Sequence, residues 1–296
     1  MPSRSFLRAM LMGAGVVLAI LLAIMAVRYI GRDEPSRNAF DPAEFVRSRP
    51  KLDAPYVATD YEVVDAMLAM AEVRPDDFVI DLGSGDGRFL IAAARSHGAR
   101  GLGVDIDPAR VREAINNAGA ARVADRVQFR RQDLFETPLR EADVLTLYLT
   151  QDVNLRLRPR ILAEMRPGAR VVSHDFDMGD WRADQRQRIG TATTYLWVVP
   201  ARVRGRWRLT AGDRSATLDL QQRYQELSGR VVTGSGEGGR VEQGQVLGDR
   251  IRFIVDLGDG RRVFEGRVAG DRMTPLQPAG PGPASAAGGW QAVRAR

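Results

Sequence analysis

The chain has 296 residues, 44% of them hydrophobic, and a formal net charge of +6. That is enough for one large domain or two medium ones with real cores, and the lack of cysteine excludes disulfides, thiolate metal sites and cysteine nucleophiles. The positive charge is scattered arginine, with Lys51 the only lysine. This speaks against nucleic acid as a partner, because a phosphate-binding surface gathers its cations on one face.

The first element is apolar. Ala9 to Val27 carries no charge, and about 19 residues rising ~1.5 Å each match the hydrocarbon thickness of a bilayer. Its length and its poor small-x-small ending favour an uncleaved transmembrane anchor over residues 6–30, with a cleaved signal sequence as the alternative. Arg4 and Arg8 oppose Arg28, Arg32 and Arg37 across it, so flanking charge leaves orientation open. Residues 31–54 are polar and punctuated by proline, which is linker texture.

From residue 55 the texture changes. Glu62 to Val73 repeats apolar residues at helical spacing. Strand-like "FVIDL", "GLGVDI", "VQFRRQDL", "ADVLTLYL" and "ARVVSHDF" then alternate with helix-like "RFLIAAARS", "PARVREAINNAGA" and "VNLRLRPRILAEM", and Thr191 to Pro200 reads as a last strand. Such alternation predicts right-handed βαβ units and a parallel sheet covered on both faces. Over residues 201–296 the helical period disappears. Short alternating runs are separated by turn residues, with Gly-Asp-Arg recurring at 212–214, 248–250 and 270–272. That predicts a small antiparallel β domain, barrel- or sandwich-like, with a flexible loop at Pro278 to Gly289 and a closing strand in "WQAVR".

The chemistry centres on "VIDLGSGDGRFLIAAARS". Gly83, Gly85 and Gly87 follow the first strand and open a helix, where unpaired N–H groups and a positive dipole end receive ligands. A dinucleotide fingerprint needs glycine at the sixth position, and Arg88 stands there instead. Asp81, just before the loop, repels a pyrophosphate and suits an amine-bearing ligand. Asp105 ends the second strand in "GVDID", where a carboxylate accepts hydrogen bonds from both ribose hydroxyls. Asp133 and Leu134 follow the third strand, where a carboxylate and an apolar neighbour grip an adenine. A nucleoside carrying an amino-acid tail and a sulfonium fits this set, which makes S-adenosylmethionine the expected cofactor; no metal site is expected.

The loop D-x-G-x-G-x-G, an acid ending strand two and an acid-Leu after strand three resemble a class I, seven-β-strand methyltransferase using S-adenosylmethionine. The resemblance covers residues 55–200 and implies a Rossmann-like seven-strand sheet. A narrower resemblance, in "PYVATD", "DLGSGDGR", "LTLYL" and "RPGARVVSHDF", is to the small membrane-anchored lysine methyltransferases of the ATP synthase c-subunit and adenine nucleotide translocase and their bacterial relatives. It implies that Tyr56 and Thr59 cover the cofactor, that Asp81, Gly83 and Gly85 meet its methionine moiety and that Asp105 holds its ribose, with Leu82, Ser84, Gly87 and Ile106 completing the cofactor-binding set. Ala58 and Asp60 stand where that family carries prolines, and the last hundred residues have no counterpart in the mitochondrial enzymes.

Methyl transfer is an in-line displacement, so the protein mainly aligns and desolvates a neutral nucleophile. Candidates for orienting a lysine amine are Tyr148, Gln151 and Asp152 after strand four, and His174 and Asp175 after strand five, although His174 and Tyr148 could equally be core side chains. Trp181 is expected to cap the core. The expected protein is a single-pass enzyme of the inner (cytoplasmic) membrane with its catalytic domain in the cytoplasm and a protein lysine as acceptor. The alternatives are export after signal cleavage, a small-molecule or lipid acceptor, or a non-catalytic binding module.

Overall fold

The computed structural model describes residues 57–234, 236–276 and 289–295. Among these, sixteen strands form two sheets, and four helices accompany them. The first element, α1 (Tyr61–Met70), buries Val63, Val64, Met67 and Leu68. It stops before Val73, where the periodicity of the sequence runs on. Glu72 takes a left-handed φ of +48°, its N–H returns to Ala69 O and that of Val73 to Leu68 O, which closes the helix in a Schellman motif. Pro75 then biases Arg74 away from helix.

Strands β1 (Phe78–Leu82), β2 (Arg100–Asp105), β3 (Val127–Arg131), β4 (Val144–Leu147) and β5 (Arg170–His174) run parallel. Antiparallel β6 (Gln185–Ile189) and β7 (Ala192–Val198) complete the order β3-β2-β1-β4-β5-β7-β6. Helices α2 (Arg88–His97), α3 (Pro108–Ala120) and α4 (Gln151–Glu164) connect them. Successive strand residues point to opposite faces. Val79, Val144 and Val172 pack with α1, α2 and α3, whereas Ile80, Leu145 and Val171 pack with Val153, Leu157 and Ile161 of α4. The chain leaves β1 outward to β2 and β3, then returns to β4. The crevice outside the carboxyl ends of β1 and β4 is therefore the switch point where such sheets bind ligands.

The second sheet is all antiparallel. Strands β8 (Gly205–Ala211), β9 (Arg214–Arg223), β10 (Glu226–Thr233), β12 (Glu242–Leu247), β13 (Arg250–Asp256), β14 (Arg261–Ala269), β15 (Arg272–Pro275) and β16 (Trp290–Arg294) pair in a ring that closes β16 onto β8, and β11 (Gly236–Arg240) is appended to β10. It is a barrel, not a sandwich. Eight strands leave an interior that side chains can fill, and here Trp207, Leu218, Phe253, Phe264 and Trp290 fill it. Phe253 and Phe264 stack at 5.3 Å, and Trp290 meets both edge-on. The three Gly-Asp-Arg repeats are the hairpin turns β8–β9, β12–β13 and β14–β15. Each glycine has positive φ (+62, +60 and +57°) at the first central position, as type II′ turns require.

The expected single-pass membrane placement is corrected: among the described residues no helix is long and apolar enough to cross a membrane. The helices that form are short and amphipathic, packed on the sheet. The apolar run Ala9 to Val27 on which that expectation rested lies outside the described residues, as do the linker at 31–54 and nearly all of the loop at Pro278 to Gly289.

Candidate active site

The glycine loop is shaped by its own backbone. The N–H groups of Gly83 and Ser84 both donate to Val104 O at 2.9 Å, which folds the chain back over the end of β2. Gly83, Gly85 and Gly87 have φ of +77, +52 and +83°, accessible cheaply only without a Cβ. At Gly87 a Cβ would also lie 2.7 Å from the Phe129 ring. Loop, β2 and β3 are thus pressed together so that their ends face one crevice.

Three carboxylates stand at the carboxyl ends of adjacent strands. Asp81 is 3% exposed. Its Oδ1 accepts a hydrogen bond from Thr146 Oγ1 at 2.6 Å, while its Oδ2 has no partner in the protein. Burial, with Asp105 and Asp86 adding repulsion, raises its pKa to about 7. Asp105 accepts from Gly85 N at 3.0 Å and from Asp107 N at 2.9 Å, tying the loop to β2. Asp133 accepts from Phe135 N at 2.7 Å, and Gln132 N donates to Asp105 O, which joins the ends of β2 and β3. Ile106 and Leu134 are half-buried beside them. A second buried oxygen, Ser84 Oγ, is also without a partner in the loop. A buried carboxylate oxygen left unpaired is costly, and a ligand's cationic amino group is the complement it lacks. The site fits S-adenosylmethionine on this ground.

A second group of side chains lies at the ends of β4 and β5. Tyr148 and His174 stack with centroids 3.9 Å apart. His174 is 6% exposed. Its Nδ1 shares a 3.1 Å hydrogen bond with Thr59 Oγ1, and its Nε2 lies 3.5 Å from Asp175 Oδ2. Burial lowers the His174 pKa, so the imidazole is uncharged at neutral pH. Burial raises the Tyr148 phenol, with Asp175 and Asp60 contributing. Asp175 sits at a left-handed φ of +59°, and its carboxylate accepts from Thr193 N. Gln151 is not part of this group: its Nε2 donates to Asp177 Oδ1 at 2.8 Å. Asp152 is exposed in the first turn of α4. Tyr56 lies outside the described residues. Trp181 is buried against Trp197 and Tyr224, as a core cap.

Residues given no place in the site from sequence also shape the crevice. Arg88, which breaks the dinucleotide pattern, pairs with Asp86 at 2.6 Å and donates to the carbonyl of Thr59. It thereby fixes the segment that carries Thr59 to the start of α2. Thr146 is a polar residue in a fully buried strand, which is a readable signal. Asn154 of α4 donates to Ser173 Oγ and Phe176 O, bracing the turn after β5.

The profile of the ANTKMT methyltransferase domain matches residues 81–185. A protein-lysine N-methyltransferase of Saccharolobus islandicus (strain REY15A) is 39% identical over 150 residues, 49% of this chain and 93% of that protein. The adenine nucleotide translocase lysine N-methyltransferase of Mus musculus is 32% identical over 147 residues, 50% of this chain and 63% of that protein. An RNA methyltransferase from Salinibacter ruber, solved in complex with S-adenosyl-L-homocysteine, is 51% identical over 50% of this chain and 96% of that one, with a TM-score of 0.49. Since the archaeal relative is matched over nearly its whole length, the chain belongs to the ANTKMT methyltransferase family and is an S-adenosylmethionine-dependent methyltransferase.

Proposed function

We propose that the chain methylates a lysine side chain of a protein. The observation that carries this reading is the acceptor-side group. An uncharged imidazole and a phenol are stacked at 3.9 Å, with the Asp175 carboxylate 3.5 Å from the imidazole and Asp60 next in sequence to the bonded Thr59. Carboxylates at the rim attract an ammonium, while a half-dry aromatic interior favours the neutral amine that displacement needs. The archaeal and mouse relatives named as lysine methyltransferases support the same acceptor.

When bound, S-adenosylmethionine supplies the activated methyl group, whose carbon–sulfur bond breaks as the amine nitrogen attacks. The chain's part is binding and alignment. In this reading Asp81 receives the amino group through its unpartnered oxygen. Leu82, Gly83, Ser84, Gly85 and Gly87 cradle the methionine portion, Asp105 and Ile106 take the ribose, and Asp133 and Leu134 take the adenine. Thr59 closes over them. Tyr148, His174 and Asp175 orient the amine, and its proton leaves to water at the carboxylate rim. The reading also divides the chain near residue 200 into a methyltransferase domain and the barrel.

The test is to incubate the full chain with methyl-tritiated S-adenosylmethionine and cell extract, then separate protein, lipid and small-molecule fractions. Label on lysine residues, located by peptide mass spectrometry, is the expected result. Label confined to lipid or small molecules, or none in any fraction, overturns the proposal.

A further inference from the structure

A tight turn of the barrel between β9 and β10 meets the loop that follows β5. Tyr224 in that turn has a φ of +53°, a left-handed conformation that bulky side chains rarely adopt. Something outside the turn must hold it there. Its ring stacks on Trp181 at 5.9 Å, with the Arg158 guanidinium 5.5 Å from its centroid. Its hydroxyl donates to Asp180 Oδ1, and neighbouring Arg223 pairs with Asp180 Oδ2, both at 3.0 Å. Gln225 donates to Arg182 O at 2.7 Å. Three consecutive barrel residues therefore grip one stretch, 180–182, of the loop that follows β5.

The other end of that loop is the acceptor side. Asp175 and Phe176 follow His174 directly. Gln151 and Asn154 of α4 hold Asp177 and Phe176. Arg158 of α4 spans the two grips, donating to Met178 O at 2.6 Å and pairing with Asp180. The loop is clamped between α4 and the barrel turn, and its start carries His174 and Asp175 against Tyr148.

We infer that Tyr224, with Arg223, is a positioning residue for methyl transfer: the barrel turn sets the 176–182 loop and through it the acceptor-side wall at His174 and Asp175. The inference rests on the proposed acceptor site. It gives the barrel, whose interior is filled by its own side chains, a part in the reaction.

The test uses the full chain with Tyr224→Gly and Tyr224→Phe. Glycine accepts the left-handed φ freely, so the first variant removes ring and hydroxyl without straining the turn, and the second removes the hydroxyl alone. Affinity for S-adenosylhomocysteine should stay within roughly twofold, because the cofactor side makes none of these contacts. Amide exchange at 177–182 should quicken about tenfold or more in Tyr224→Gly and less in Tyr224→Phe. With poly-L-lysine as acceptor probe, KM should rise roughly fivefold or more, with kcat changing less. Unchanged exchange in the loop overturns the inference, as does an unchanged KM. So does a fall in cofactor affinity that tracks melting temperature and kcat, which marks general loosening. A wild-type chain that never methylates poly-L-lysine counts against the lysine reading, and loop exchange then decides the positioning role by itself.

Discussion

Asp81 is ionised only at a cost while the crevice holds no ligand. Its pKa near 7 lies above the ordinary 3.8, so the folded protein binds this proton more tightly than the unfolded chain does. The stabilisation from the neutral acid is complete below pH 3.8 and is lost as pH rises through about 7. At about 1.36 kcal/mol per pKa unit, the cost at pH 8 is on the order of 4 kcal/mol, and about half of that at pH 5. Asp81→Asn keeps an acceptor for Thr146 and removes the ionisation. It should therefore melt higher than wild type at pH 8, with the gap narrowing toward pH 5. Cofactor binding should show the opposite preference. A cationic amino group needs the carboxylate, so wild-type affinity should fall about tenfold per pH unit below ~7, while the variant binds weakly at every pH. Calorimetry showing flat wild-type affinity from pH 8 to 5.5 refutes the assignment. Asp81 and Asp105 are legible in the sequence because each ends an apolar run, and Asp133 because it follows the third strand. The pairings of Thr146 and Arg88 are not, because their partners lie 65 and 29 residues away and only folding brings them together.

Elements follow the same division. β4 is buried along its whole length and reads as apolar apart from Thr146, as a strand covered on both faces should. The seventh strand of the sheet, β6, is "QRQRI", exposed on nearly every residue. An edge strand with one partner buries little, so no apolar alternation marks it, and only its pairing with β7 through Gly190 reveals it. In the barrel β12 and β15 escape for a similar reason, being short with polar outward positions. The glycine turns are better specified, and they separate two kinds of glycine. Gly212 has φ +62° with nothing within 4 Å of a built Cβ, whereas Gly87 has φ +83° with the Phe129 ring 2.7 Å away. Gly212→Ala should cost only the left-handed penalty, about 1–2 kcal/mol. Gly87→Ala adds overpacking of about 1–3 kcal/mol, so urea midpoints should place it well below Gly212→Ala. Equal midpoints would mean that β3 yields at Phe129 and that the loop is less tightly held than its geometry states.

At the scale of the molecule, the methyltransferase sheet and the barrel have separate cores but little slack between them. β7 ends at Val198 and β8 begins at Gly205. Within that connection Ala201 N donates to Gly248 O, and Arg202 reaches the carbonyls of Leu162 and Ala163, where a cation also suits the helix end. Gly248, in the β12–β13 turn, lies so close to Gly168 that a Cβ would come within 3.0 Å of its Cα. On the far side Tyr224 completes the burial of Trp181, whose carbonyl accepts from the Trp197 indole. Unfolding the barrel would expose Trp181 and strip partners from Asp180, so the two parts should unfold together. S-adenosylhomocysteine touches only the first sheet in this account, yet at about 100 times its Kd it should stabilise the native chain by ~2.7 kcal/mol. If the parts are coupled, calorimetry should show one transition that moves upward whole when the ligand is added. If they are independent, the ligand will raise one transition and leave a second, from the barrel, where it was. Tyr224→Gly provides the control, because loosening this one contact should begin to split the transition if the turn is what couples the two cores.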